Sequence, residues 1–187
     1  MQQNLITKYF NINNNTTNNT TNNTTNNTTN SNNNIIGNNI LVIYTDGACS
    51  NNGKKNAKAG IGVYSEDLLS ISERVIGHQT NQRAELFAIL KALRAININE
   101  YDSIHLYTDS MYSINCLTKW IYKWIHNNWL DFKKRPVKNK DIIQQIYNIL
   151  SNKTNIHLHH VYSHTNKTDT HSLGNSKADD LARKSIN

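Results

Sequence analysis

The chain has 187 residues, a formal charge of +7 and a pI near 9.4. That suits one domain of ordinary size plus a tail, and a polyanionic partner rather than an acidic one. The two cysteines, Cys49 and Cys116, match no metal-ligand spacing, no apolar run approaches the ~18 residues of a membrane helix, and no signal-peptide pattern opens the chain. The expectation is a reduced intracellular protein, cytoplasmic or nuclear, not secreted and not membrane-bound.

Residues 1–10 carry several large apolar groups, Ile6, Tyr9 and Phe10 among them, ahead of a polar tract. Residues 11–39 are almost wholly Asn and Thr with a recurring Asn-Asn-Thr-Thr unit, too poor in apolar surface to offset the entropy of ordering. This segment reads as a disordered linker, and residues 40–187 as the globular domain.

Within that domain Ile40 to Tyr44 reads as a buried strand ending at Asp46 and a Gly/Asn-rich turn. Ala59–Ser65 and Leu68–Gly77 read as two further strands. Thr80-Asn81 starts a helix whose apolar stripe is Leu86, Ile89, Leu90, Leu93 and Ile96, with Glu85 at its edge. Ile104 to Asp109 repeats the strand-then-acid theme, and a helix follows from Ser110. The block 119–140 holds seven Lys/Arg, one acid (Asp131) and all three Trp. A short amphipathic helix over Asp141–Leu150, an alternating strand over Ile156–Val161, a polar loop over Tyr162–Leu173 and a closing helix from Gly174 complete the chain. Helices alternating with strands after a strand hairpin imply a mixed α/β sheet.

Four acids punctuate this pattern: Asp46, Glu85, Asp109 and Asp179. Each alone has an ordinary role. Asp46 before Gly47 shapes a turn, Glu85 and Asp109 suit helix starts, and Asp179 three residues after Ser176 fits a capping box. Together they suggest more. Asp46 and Asp109 both follow strands, at the ends where open α/β sheets place their sites. On neighbouring strands such carboxylates, about 4 Å apart, repel by roughly 4 kcal/mol at an effective dielectric near 20. Oxygen ligands without a His/Cys cluster call for Mg²⁺ or Mn²⁺, and two such ions serve phosphodiester hydrolysis.

The segments YTDGACSNNG, TNQRAEL, LYTDSMY and GNSKADDLAR resemble, in order and spacing, those of the type 1 ribonuclease H family. The resemblance covers about Leu41 to Ser185. It implies a ribonuclease H-like five-stranded mixed sheet, three antiparallel strands then parallel ones, flanked by helices. It also implies an endonuclease that cuts the RNA strand of RNA–DNA hybrids by two-metal-ion catalysis, with Asp46, Glu85, Asp109 and Asp179 as metal-binding catalytic acids. The family's mobile catalytic histidine falls best on His164. His171 is the rival, because the loop from His164 to Asp179 is longer than the family's, and the alternative for His171 and His157–His160 is a surface or core role.

By the same resemblance Asn52, Asn81 and Gln82 face the RNA strand, whose 2′-hydroxyls mark it as RNA. Thr80 and Asn139 hold a DNA phosphate, and Tyr112 and Trp124 line the DNA-strand channel. The block 119–140 becomes the family's basic protrusion, with core packing as the alternative for its tryptophans, chiefly Trp120. His78 stands where the family often has Arg. Gln3, Ile6, Tyr9 and Phe10 match the sliding-clamp-binding box of replication proteins; the alternative is a frayed end with stray apolar groups. A linker of roughly 28 residues would span about 30 Å as a random coil. A monomer is expected. The competing functions are a DNA-directed nuclease of the same fold and a hybrid-binding protein without catalysis.

Overall fold

The structure is a computed structural model that describes residues 39–163 and 168–187. Five strands form one sheet in the order β3-β2-β1-β4-β5. β1 (Ile40–Ser50), β2 (Lys58–Ser65) and β3 (Leu69–Arg74) pair antiparallel, whereas β4 (Ser103–Thr108) joins β1, and β5 (Ile156–His160) joins β4, in parallel. This is the mixed sheet expected from the sequence.

β1 is longer than its apolar run suggests. The strand continues through Asp46 to Ser50 because β2 pairs with it as far as Ser50↔Lys58. Its parallel ladder with β4 stops earlier, at Thr45↔Thr108. Beyond that point β1 is hydrogen-bonded on one edge only, and the two strands part.

Two helices sandwich this region. α1 (Asn81–Arg94) is capped by the Thr80 hydroxyl, which accepts the Arg83 N–H at 3.3 Å, and it buries Leu86, Ile89, Leu90 and Leu93. Fully burying each such side chain contributes about 1.5–3 kcal/mol. Gly47 lets α1 approach: a Cβ there would stand 2.4 Å from the Glu85 backbone nitrogen. α5 (Thr170–Ile186) lies on the other face, where a Cβ on Gly62 would meet the Ala178 carbonyl oxygen. α5 begins four residues before the expected Gly174, because Asp169 caps it by accepting the His171 and Ser172 N–H groups at 3.1 Å.

α2 (Met111–Asn115) and α4 (Lys140–Leu150) lie beside α1. α2 runs through a π-helical turn at Cys116–Trp120 into α3 (Ile121–His126), and α4 packs back on α1. Arg83 on α1 donates to both carboxylate oxygens of Asp141 on α4, at 3.0 and 2.6 Å. Among the described residues no helix is long and apolar enough to cross a membrane.

Candidate active site

Asp46 and Asp109 occupy the first positions after the last paired residues of β1 and β4, so the parting of these strands leaves both carboxylates at the mouth of the same gap. Glu85, in the second turn of α1, completes a group whose carboxylate oxygens lie within 4.8 Å of one another. Asp179 on α5 hydrogen-bonds Asp46 and is held by Arg183 Nη2 at 2.7 Å. Asp109 is anchored through its backbone, with His160 Nε2 3.2 Å from its carbonyl oxygen.

Asp46 and Glu85 are each only 6% exposed. Burial, then the charges of Asp109 and Asp179, push the Asp46 carboxyl well above its ordinary range. Burial, then Asp46 and Asp109, do the same to Glu85, against hydrogen bonds from the Gly47 backbone and from Asn81 Nδ2 at 3.3 Å. Glu85 Oε2 is buried with no hydrogen-bond partner among the described residues. Clustered acids of this kind need a counter-charge. An all-oxygen donor set with an unused buried lone pair fits a hard divalent cation such as Mg²⁺ or Mn²⁺.

The expected nucleic-acid contacts fall beside this centre. Asn52 Oδ1 accepts the Asn81 N–H at 3.2 Å, tying the turn after β1 to the start of α1. Asn52, His78, Thr80, Gln82 and Asn139 line one cleft together with Arg83 and Lys138. Asn139 adopts a left-handed backbone at φ 57° and donates through Nδ2 to the Tyr112 hydroxyl at 3.3 Å. Trp120, the tryptophan for which core packing was the main alternative, is not buried. Trp120 is 39% exposed, with its ring 6.1 Å from Tyr112, whereas Trp124 is partly buried against the core. Trp120 closes the π-helical turn that joins α2 to α3.

His171 lies in the first turn of α5 rather than in a loop. Its ring is 4.2 Å from that of Tyr107, and its Nδ1 is 3.0 Å from the Tyr44 hydroxyl. His164 and the clamp-like residues Gln3, Ile6, Tyr9 and Phe10 lie outside the described residues, as do positions 11–38 of the linker. Two site residues escaped the sequence reading. Asn175 is buried, its Oδ1 lacks a partner among the described residues, and it lines a pocket with Asp109 and Asp179. Arg183 pairs with Asp179. Their spacing, four residues before and after Asp179, is the signal that could have found them.

A mixed five-stranded sheet with acids gathered where its parallel strands part defines an α/β protein with a carboxylate cluster that could hold a divalent cation. The family model described as RNase H matches residues 38–187, and the chain belongs to the ribonuclease H family. Ribonuclease H1 of Rattus norvegicus is 39% identical over 146 residues, covering 77% of this chain and 49% of its own length. The chain thus spans about half the length of that relative. Ribonuclease H of Chlorobium phaeobacteroides is 35% identical over 150 residues, covering 78% of this chain and 94% of its own length. The solution structure of the PFV RNase H domain aligns with a TM-score of 0.66 and 29% identity, over 80% of this chain and 96% of that one.

Proposed function

We propose that the chain is an endonuclease that hydrolyses the RNA strand of RNA–DNA hybrids, leaving 5′-phosphate and 3′-hydroxyl ends. The observation that carries this reading is the convergence of Asp46, Glu85 and Asp109, with Asp179 bonded to Asp46, from four separate elements. These residues would hold two Mg²⁺ ions, or Mn²⁺ in their place. Such ions supply a nucleophilic water at neutral pH and stabilise the leaving oxygen of a phosphodiester.

The chain's own groups do the rest. Asn52, Asn81 and Gln82 hydrogen-bond the RNA strand in its minor groove, and the 2′-hydroxyl selects RNA. Asn81 also steadies Glu85, so recognition and the acidic centre share a side chain. Thr80 and Asn139 hold a phosphate of the DNA strand. Tyr112 and Trp124 give that strand an apolar wall. His164 handles the proton and assists release of the product phosphate, a role that suits a side chain titrating near neutrality. Lys133, Lys134 and their basic neighbours add affinity that weakens with salt.

The organisation is a catalytic domain over 40–187, a linker over 11–39 and a clamp-binding peptide over 1–10. Through that peptide an intracellular, monomeric nuclease would be tethered to a sliding clamp, removing RNA primers or R-loops during replication. Replacing both Tyr9 and Phe10 by Ala should then lower clamp affinity while clamp-free hydrolysis stays unchanged; unchanged clamp binding removes the tether. The activity is tested by offering the full chain matched RNA–DNA hybrid, double-stranded RNA and double-stranded DNA with Mg²⁺. Cleavage confined to the RNA of the hybrid is expected. Cleavage of DNA would assign a DNA-directed nuclease, and hybrid binding without cleavage a binding protein.

A further inference from the structure

α5 packs across β1, β2 and β3 and meets β4 only at its margin, which leaves part of the same sheet face half open over β4 and β5. Strand alternation places Ser103, His105 and Tyr107 of β4 on that face beside His157 and His159 of β5. Their rings form one continuous stack. Tyr107 and His159 are 4.7 Å apart, His159 and His105 5.1 Å, and His105 and His157 5.1 Å. Three imidazoles so placed bring more than packing, because each offers a nitrogen lone pair that a phenyl or aliphatic group lacks.

The polar contacts set which nitrogens are free. His105 Nε2 is 3.0 Å from the Ser103 hydroxyl, which can accept its N–H and so leaves Nδ1 with a lone pair. That Nδ1 stands 2.9 Å from His159 Nε2. Two ring nitrogens thus face each other across a single hydrogen, at a half-open surface, with a third imidazole alongside.

We propose that His105 Nδ1 and His159 Nε2 form a binding site for a borderline divalent cation of the Zn²⁺ class, separate from the carboxylate cluster. Imidazole favours Zn²⁺, Cu²⁺ or Ni²⁺, whereas carboxylates favour Mg²⁺ or Mn²⁺, so the two sites sort their ions by chemistry. Zn–N bonds of about 2.0–2.1 Å in a tetrahedron hold two nitrogens about 3.3 Å apart. The facing pair therefore needs to open by about 0.4 Å and each ring to turn by about 35°, so that both lone pairs converge on one ion, with His159 entering as its Nδ1–H tautomer. Water completes the coordination from the open side. The pair is ready at neutral pH. Burial first, then the neighbouring histidines, pulls His159 down to about 4 and His105 below its ordinary value, so neither imidazole has to shed a charge-bearing proton. A bound cation would fasten β5, the outer strand, to β4.

The test titrates the full chain with ZnCl₂ at neutral pH in excess Mg²⁺, which keeps the carboxylate cluster filled. One equivalent should bind, and the melting temperature should rise by about 5 °C or more at saturating Zn²⁺. In the wild type, the ring signals of His105 and His159 should shift on addition of Zn²⁺ while those of His171 stay, a readout that needs no substitution. The variant H105Q/H159Q should bind Zn²⁺ about 100-fold more weakly or worse while keeping Mg²⁺-dependent hybrid cleavage. D109N should keep the Zn²⁺ site intact. Absence of binding by the wild type, binding that survives H105Q/H159Q, or binding lost in D109N would each overturn the assignment.

Discussion

β4 leads at one end into Asp109 and carries His105 near the other, and the two clusters built on it meet the same physical problem in opposite ways. At the acidic end, burial and like charges push Asp46 and Glu85 towards the protonated, neutral form. Along the imidazole stack, burial and like charges push His105 and His159 towards the deprotonated, neutral form. Desolvation disfavours charge in both. An imidazole that loses its proton at neutral pH is at rest and can still pack and hydrogen-bond. A carboxylate that holds its proton at neutral pH is out of its element, and Glu85 Oε2 has not even a partner. The acidic end is therefore the one that calls for a cation, and the imidazole end is stable without one.

The sharpest test of this contrast is Asp109→Asn. It should lower hybrid cleavage by more than the ~100-fold typical of losing a mere supporting group, with hybrid affinity retained in the presence of metal. Steady-state kinetics beside a binding assay measures both, and full activity would end the ligand role. Gly47→Ala comes next. Its Cβ would press on the Glu85 and Ala84 backbone, at 2.4 and 2.6 Å, so α1 must move off the sheet. A loss of about 3 kcal/mol in urea unfolding is expected, with cleavage falling as Glu85 is displaced; an unchanged midpoint would show that α1 is not held where described.

The third test uses pH, and the two clusters carry opposite signs. Asp46 and Glu85 have folded values raised above their ordinary 3.8 and 4.5, so the folded state binds more protons than the unfolded one. In metal-free buffer their contribution is complete at acid pH and is lost as pH rises above about 4; added Mg²⁺ should flatten this limb. His159, pulled from 6.5 down to about 4, acts in reverse: its contribution is present above 6.5 and is lost as pH falls through that window. Melting curves over this range, with and without Mg²⁺, separate the two, because only the carboxylate limb should respond to the ion. The smallest effect belongs to the protrusion. Replacing exposed Lys133 and Lys134 by Ala should change KM and reduce the slope of log affinity against log salt by about 0.9 per lost phosphate contact, with kcat unchanged.

Much of this was legible in the sequence because the signals were local. The run Ile40–Tyr44, the Leu86–Leu93 stripe and the acids just past the end of the β1–β4 ladder each report on their own neighbourhood. What was hidden depends on partners. β1 continues to Ser50 because β2 is there to pair with it, and Gly47-Ala48-Cys49 shows no alternation of its own. Trp120 is exposed rather than packed in the core, at the end of a π-helical turn that the sequence did not announce. The early start of α5 did leave a trace, Asp169 three residues before Ser172, but the polar composition from Thr170 to Leu173 obscured it. The imidazole stack could not be read at all: His105 and His159 are 54 positions apart and meet only through strand pairing.

The paired hydrogen bonds between Arg83 and Asp141 have a mechanical consequence. Glu85 follows Arg83 by two residues, and Asn139 precedes Asp141 by two. That strut therefore joins α1, which bears Glu85, to the start of α4 beside Asn139, and in the proposed function these are an acid of the cutting centre and the grip on the opposite strand. For a duplex seated in the cleft, the offset between grip and cut would be a fixed length built into the protein. Cuts near a strand terminus should then fall at a constant number of nucleotides from it, and Arg83→Gln should scatter them.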